Sequence, residues 1–277
     1  NNTAIGFTAM DAITTGDKNS ALGYGALGAN NTGAQNTAVG RESLLANTGG
    51  NDNTAVGSSA LATVATGVSN TAIGKSALQA NTGGSNVAVG KSALAANTTA
   101  SNNIAVGSSA AAANTTGTRN TTIGFEAYAA SDTENDNIAI GYAAMTTNTA
   151  GGQYNVAIGN YALDALTSGD ANTAVGYDAM TANNTGVENV AIGYKALEDN
   201  TTGAGNTTVG SQSLATNTTG AQNSAFGRYA LLLNTTGSNN TALGEESLAA
   251  NTTGANNVAV GNDALAANTT GTRNLAI

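Results

Sequence analysis

The chain has 277 residues, a formal net charge of −9, only 9% charged residues, and no Cys, His, Trp or Pro. Without Cys there are neither disulfides nor thiolate chemistry, and without His or Cys the usual nucleophile–base pairs are missing. Weak acidity with no basic patch argues against nucleic acid, and no apolar run approaches the roughly 18 residues of a membrane span.

Read in order, the chain repeats one word, Asn-Xaa-Ala-(Val/Ile/Leu/Phe)-Gly. The word begins at Asn2, Asn19, Asn36, Asn53, Asn70, Asn86, Asn103, Asn120, Asn137, Asn155, Asn172, Asn189, Asn206, Asn223, Asn240, Asn257 and, truncated, at Asn274. The spacing is 17 residues, except for one copy of 16 starting at Asn70 and one of 18 starting at Asn137. A fixed short period dictates coils stacked one on the next. The expected fold is therefore all-β, a parallel β-solenoid of about sixteen 17-residue coils; its thin coil further leads to the expectation of a homo-oligomer, a homotrimeric rod being preferred. Residues 1–277 read as a single repeat domain. Both ends fall without the divergent coils that cap a solenoid, so the chain is expected to be a fragment of a longer fibre.

Positions are numbered here from the Asn of each copy. Position 4 is never polar: Ile5, Leu22, Val39, Val56, Ile73, Val89, Val106, Ile123, Ile140, Ile158, Val175, Ile192, Val209, Phe226, Leu243, Val260 and Ile277. It is taken as the core row. Position 2 is Thr, Ser, Val, Ile or Leu, and such residues at alternate positions read as a short strand. Position 3 is Ala except at Thr122 and Thr208. A solvent-facing row would drift in composition, so both faces of the strand are expected to be covered. One would face the coil's narrow interior and the other a neighbouring chain, with the sequence leaving open which is which. Position 5 is the corner glycine: Gly6, Gly23, Gly40, Gly57, Gly74, Gly90, Gly107, Gly124, Gly141, Gly159, Gly176, Gly193, Gly210, Gly227, Gly244 and Gly261. Either a positive φ or a close backbone neighbour would require it.

Positions 8 and 9 are Ala-Leu or close relatives, too brief a segment to separate a second strand from one helical turn. Position 12 is usually Asn, followed by Thr-Thr-Gly, which is turn chemistry. The rows at Asn97, Asn114, Asn200, Asn217, Asn234, Asn251 and Asn268 match the N-glycosylation acceptor. They read equally as an Asn/Thr ladder bonding coil to coil, and that reading is preferred. The coil carries few large aliphatics against the cost of ordering 17 residues, so association of chains is expected to supply part of the stability.

The word, best carried by Val87-Ala88-Val89-Gly90 and Val156-Ala157-Ile158-Gly159, resembles the head repeat of trimeric autotransporter adhesins. The resemblance implies a left-handed parallel β-roll wound as a tight trimer. The period departs from the family, 17 against about 14 to 16, with the extra residues in the Asn-Thr-Thr-Gly turn. Wording such as Gly193 to Leu197 is also similar to repeat regions of phage tail fibres. The resemblance implies an extracellular fibre at a cell or virion surface.

No catalytic constellation is present, and neither an enzyme, a cofactor nor a metal is expected. Glu42, Glu126, Asp178, Glu245 and Asp263 lie on variable positions after the corner, and Asp17, Asp52, Asp170 and Glu188 lie in the turn. The turn Ser131 to Asp136 holds three carboxylates that could suit calcium, but it lacks the calcium-loop motif and reads as a solvated acidic loop. Aromatics gather at positions 6 and 7: Phe7, Tyr24, Phe125, Tyr142, Tyr161, Tyr177, Tyr194 and Tyr229. They mark either a contact ridge for a surface glycan or protein or rings packed on the neighbouring coil's edge, and the packing reading is preferred. The leading functional expectation is a structural or adhesive fibre whose main partner is itself. The alternative is an ice-binding solenoid using its Thr rows.

Overall fold

The computed structural model describes residues 1–277 and is an all-β parallel solenoid of about sixteen turns with seventeen strands and no helix. The strands run from Thr3–Ile5 to Leu275–Ala276, each of three residues except the last, which has two. Packing divides the chain into two compact units, Asn1–Asp136 and Asn137–Ile277. Within each, consecutive strands pair in parallel, each with the strand of the adjacent coil. Copies stay in exact register, as in Thr37↔Thr54 and Ala38↔Ala55 of the first unit and Val190↔Thr207 and Ile192↔Val209 of the second. The one-residue excess of the copy at Asn137 is absorbed in its turn, because Val156 still pairs with Ile138 and Ile158 with Ile140.

The alternation of the strand decides its faces. Position 3 points into the coil: Ala38, Ala55, Ala157 and Ala191 are fully buried. Positions 2 and 4 point outward. The row taken as core from the sequence, Ile5, Val39 and Val56 through Leu243 and Val260, therefore does not line the coil, and no member of it is buried. Ile73 is 41% exposed and Ile192 40%. The physical reason is width: behind a three-residue strand the coil accepts a methyl group or, at Thr122 and Thr208, a threonine, so the larger aliphatics are sent outside. Where position 3 is Thr, the hydroxyl bonds back to the preceding coil, Thr122 to the Ile104 carbonyl at 3.0 Å and Thr208 to the Val190 carbonyl at 3.3 Å.

The wide part of the interior is filled from the opposite wall. Leu27, Leu44, Leu61, Leu94, Leu197 and Leu214, all at position 9, are fully buried, as are Met145 and Tyr128 in the same row. This segment is neither a second strand nor a helical turn. It is a chain of turns in which positions 7 and 9 both take positive φ, for example Lys195 at 53° and Leu197 at 54°. A left-handed residue costs about 1–2 kcal/mol, and burying a Leu side chain returns about 1.5–3 kcal/mol. Position 17 is left-handed as well, as at Glu188 and Ala171. The turns still bond from coil to coil: Lys195 N–H donates to the Tyr177 carbonyl at 2.9 Å and Leu197 N–H to the Ser213 carbonyl at 3.0 Å. Backbone bonding thus runs round the whole coil, not only along the strands.

Candidate functional site

Gly141 and Gly159 show both conditions that would demand glycine at the corner. At Gly141 φ is +142°, and a methyl group there would lie 2.4 Å from the Gly159 carbonyl oxygen of the next coil. The same holds at Gly159 against Gly176, at 2.2 Å. Corner carbonyls stack so closely that no side chain fits between successive coils.

Inside each unit two columns of asparagine run along the stack, and only one of them was read as structural from the sequence. At position 12, Asn217, Asn234 and Asn251 are fully buried. Each donates its amide to the Asn carbonyl oxygen one coil back, at 2.8 to 2.9 Å, and to the Gly carbonyl three residues on. The Thr that follows donates its hydroxyl to the next coil's carbonyl, from Thr201 to Thr218, Thr235 and Thr252 in succession. The ladder reading of the Asn-Thr-Thr rows is what the coil displays: the amides of Asn97, Asn114, Asn200, Asn217, Asn234 and Asn251 face inward. The second column is position 1. Asn206 donates to Asn189 at 3.2 Å and to the Gly220 carbonyl at 2.9 Å, while its own side-chain oxygen accepts the backbone and side-chain N–H of Asn223. Its invariance within the repeat was the available signal.

One coil of the first unit breaks the pattern twice. Ser131 stands at position 12 and Glu134 at position 15, in place of Asn and Gly. Glu134 is 1% exposed, and its carboxylate accepts the N–H groups of Asp132 and Thr133 at 3.0 and 3.1 Å. It folds back over the turn that an Asn side chain would otherwise occupy. Ser131 cannot reach the coil before it, so the side-chain oxygen of Asn114 and the hydroxyl of Ser131 are buried without a partner. The three acids of this turn do not converge: Asp136 instead forms a bidentate pair with Arg119, at 2.6 and 2.7 Å. That hydrogen bond holds the Asp136 carboxyl below its ordinary range.

The aromatic ridge is not continuous. In the first unit Phe7 and Tyr24 stack at 5.8 Å, and Phe125 lies exposed further along. In the second unit Tyr142, Tyr161, Tyr177 and Tyr194 occupy four consecutive coils, with ring centroids 5.4, 6.0 and 5.8 Å apart. Tyr229 is covered by the Arg228 guanidinium at 4.5 Å. The rings do pack on one another, yet Tyr142, Tyr177 and Tyr194 remain 44–49% exposed. Charged groups collect beside the four-ring ladder. Lys195 bonds Glu198 at 2.7 Å, lies 3.9 Å from Asp178 and sits 5.8 Å from the Tyr194 ring centre. The Glu198 hydrogen bond raises Lys195 above its usual value. Desolvation, joined by repulsion from Glu198 and Asp164, raises Asp178 despite the attraction of Lys195. Partial desolvation, the neighbouring Tyr142 and Tyr177 rings, and Asp164 raise the Tyr161 phenol.

The chain has no pocket, and no three acidic groups meet as a metal site would need. By fold and repeat it is a parallel β-solenoid repeat protein. No protein-family profile matches the chain, and no curated protein matches it in sequence.

Proposed function

We propose that the chain is a structural and adhesive element of an extracellular fibre. In this reading it is a stacked β-solenoid shaft or head, associated as a homotrimer, projecting from a cell or virion and mediating surface attachment. The observation that carries the reading is the outer face of the strands. In both units positions 2 and 4 present an unbroken uncharged surface, with aliphatics such as Val56, Ile73, Ile192 and Val209 left 37–41% exposed in coil after coil. Apolar surface of that extent on a soluble chain marks an interaction face, and other copies of the same periodic chain match its period. The fibre works by shape and display: the coil spends its polar side chains on internal ladders and leaves no cleft for a small molecule.

Sedimentation equilibrium tests the association. A particle of three times the 26.8 kDa chain mass is expected. A monomer at high micromolar concentration overturns the trimer. Loss of the trimer on Ile192→Lys with retained coil circular dichroism would place the contact on the outer face.

A second reading rests on one stretch. Thr37, Thr54 and Thr71 stand side by side in register on the outer face, giving hydroxyls at the roughly 4.8 Å strand spacing, as an ice-binding surface would use. Measurable thermal hysteresis would favour it, and its absence would retire it.

A further inference from the structure

We propose that the tyrosine ladder of the second unit is a docking site for a cationic, extended polypeptide segment bearing Lys or Arg side chains. The surface has two ends with different occupancy. At one end the chain supplies its own ammonium, Lys195, held by Glu198 and lying near Asp178 and the Tyr194 ring. That arrangement shows what the surface accepts: a positive nitrogen between carboxylates and beside an aromatic ring. At the other end Tyr142, Tyr161 and Tyr177 repeat the aromatic wall; Asp164 lies beside it, its N–H bonded to the Tyr161 carbonyl at 3.3 Å and its charge felt at Tyr161 and Asp178, and it takes part in none of the chain's ion pairs.

Charge decides the class of partner. The unit has three cationic side chains, Lys195, Arg228 and Arg273, and Arg228 lies against Glu245 and Tyr229. The chain as a whole has a pI near 4.2. An anionic partner would be repelled, and a neutral one would leave the Asp164 carboxylate without a counter-charge and Asp178 sharing Lys195 with Glu198. A cationic partner gains both Coulomb attraction and ring contact. Spacing decides the form. The rings recur every 5.4 to 6.0 Å, and alternate side chains of an extended strand recur about every 6.6 Å. Two or three successive basic side chains therefore reach successive rungs within the play of a Lys stem.

This deepens the attachment reading by naming the partner's chemistry, and it is read from ligand binding rather than particle mass, so its failure is distinguishable from failure of the trimer. Octalysine is titrated into the purified protein by calorimetry and tyrosine fluorescence, the latter undisturbed because Trp is absent. Saturable binding that weakens between 50 and 300 mM salt is expected, roughly as surface charge pairing does. Asp164→Asn with Asp178→Asn should weaken it about tenfold and Tyr177→Ala about fivefold, with unchanged circular dichroism. Asn suits the left-handed φ of 52° at Asp178. Lys195→Gln should tighten binding about threefold by vacating the occupied end. Absence of binding at millimolar octalysine overturns the proposal. So does equal weakening by Asp263→Asn, remote from the ladder, or preferential binding of a neutral N-acetylglucosamine hexamer.

Discussion

Replacing Gly141 by alanine adds one methyl group at a corner where two separate costs arise. The first is conformational: at φ +142° an L-residue is strained by about 1–3 kcal/mol. The second is steric. The methyl carbon would lie 2.4 Å from the Gly159 oxygen and 2.5 Å from its carbonyl carbon, both backbone atoms with no rotamer to give way. Relief of about 1 Å must come from parting the coils, which stretches the bond from Gly159 N–H to the Ile140 carbonyl, now 2.7 Å. Overpacking costs about 1–3 kcal/mol and a lost hydrogen bond about 0.5–1.5 kcal/mol, so with the strain the three ranges sum to about 2.5–7.5 kcal/mol. Gly205→Ala is the control. Its φ is +67°, its methyl would meet only the Gln222 Cγ at 3.7 Å, and Ala171 already holds the equivalent place at φ 56°. That change should cost about 1 kcal/mol or less. Because coils can open locally, hydrogen exchange at the Val156 to Gly159 amides should be read beside urea unfolding of the whole chain. Equal losses for the two variants would refute the claim that carbonyl stacking excludes side chains at the corner.

The same stacking leads to three further outcomes. Asn206→Ala should destabilise by about 2–4 kcal/mol, since it strands the Asn223 N–H groups and the Gly220 carbonyl in the interior; a loss below 1 kcal/mol in urea unfolding would mean the column is incidental. Ser131→Asn and Glu134→Gly should each destabilise alone, the first by crowding the Glu134 carboxylate and the second by stripping the Asp132 and Thr133 amides of their acceptor. Together they restore the ladder to Asn114, with a coupling of about 1–3 kcal/mol in a double-mutant cycle; additive effects would contradict it. Asp136, whose pKa is lowered by Arg119, stabilises the fold above its unfolded value, and that contribution is lost as pH falls through the lower folded value. Wild type and Asp136→Asn should therefore converge in stability in strong acid and differ near neutrality, and a constant difference across pH would exclude the pairing as its cause.

The period, the parallel stacking and the corner glycine were legible in the residues themselves, because a 17-residue repeat with an invariant Gly admits few chain paths. Strand position was legible too, from β-branched residues at alternate positions. The direction each face points was not. Position 4 is the most hydrophobic row, and hydrophobicity alone assigns it inward, as the core. Only the closed coil shows that the space behind the strand ends at an Ala methyl while the room for Leu197 lies on the opposite wall. The left-handed rungs were equally invisible, since Leu and Tyr are poor advertisements for positive φ and take it here only because burial outweighs the strain. Asn at position 1 looked like the first letter of a word; stacking makes it a column, because a side-chain amide gains partners only when the same amide recurs one coil away. Local chemistry thus determined the coil's outline, and the tertiary packing of coil on coil decided which surface is interior and which is left to meet something else.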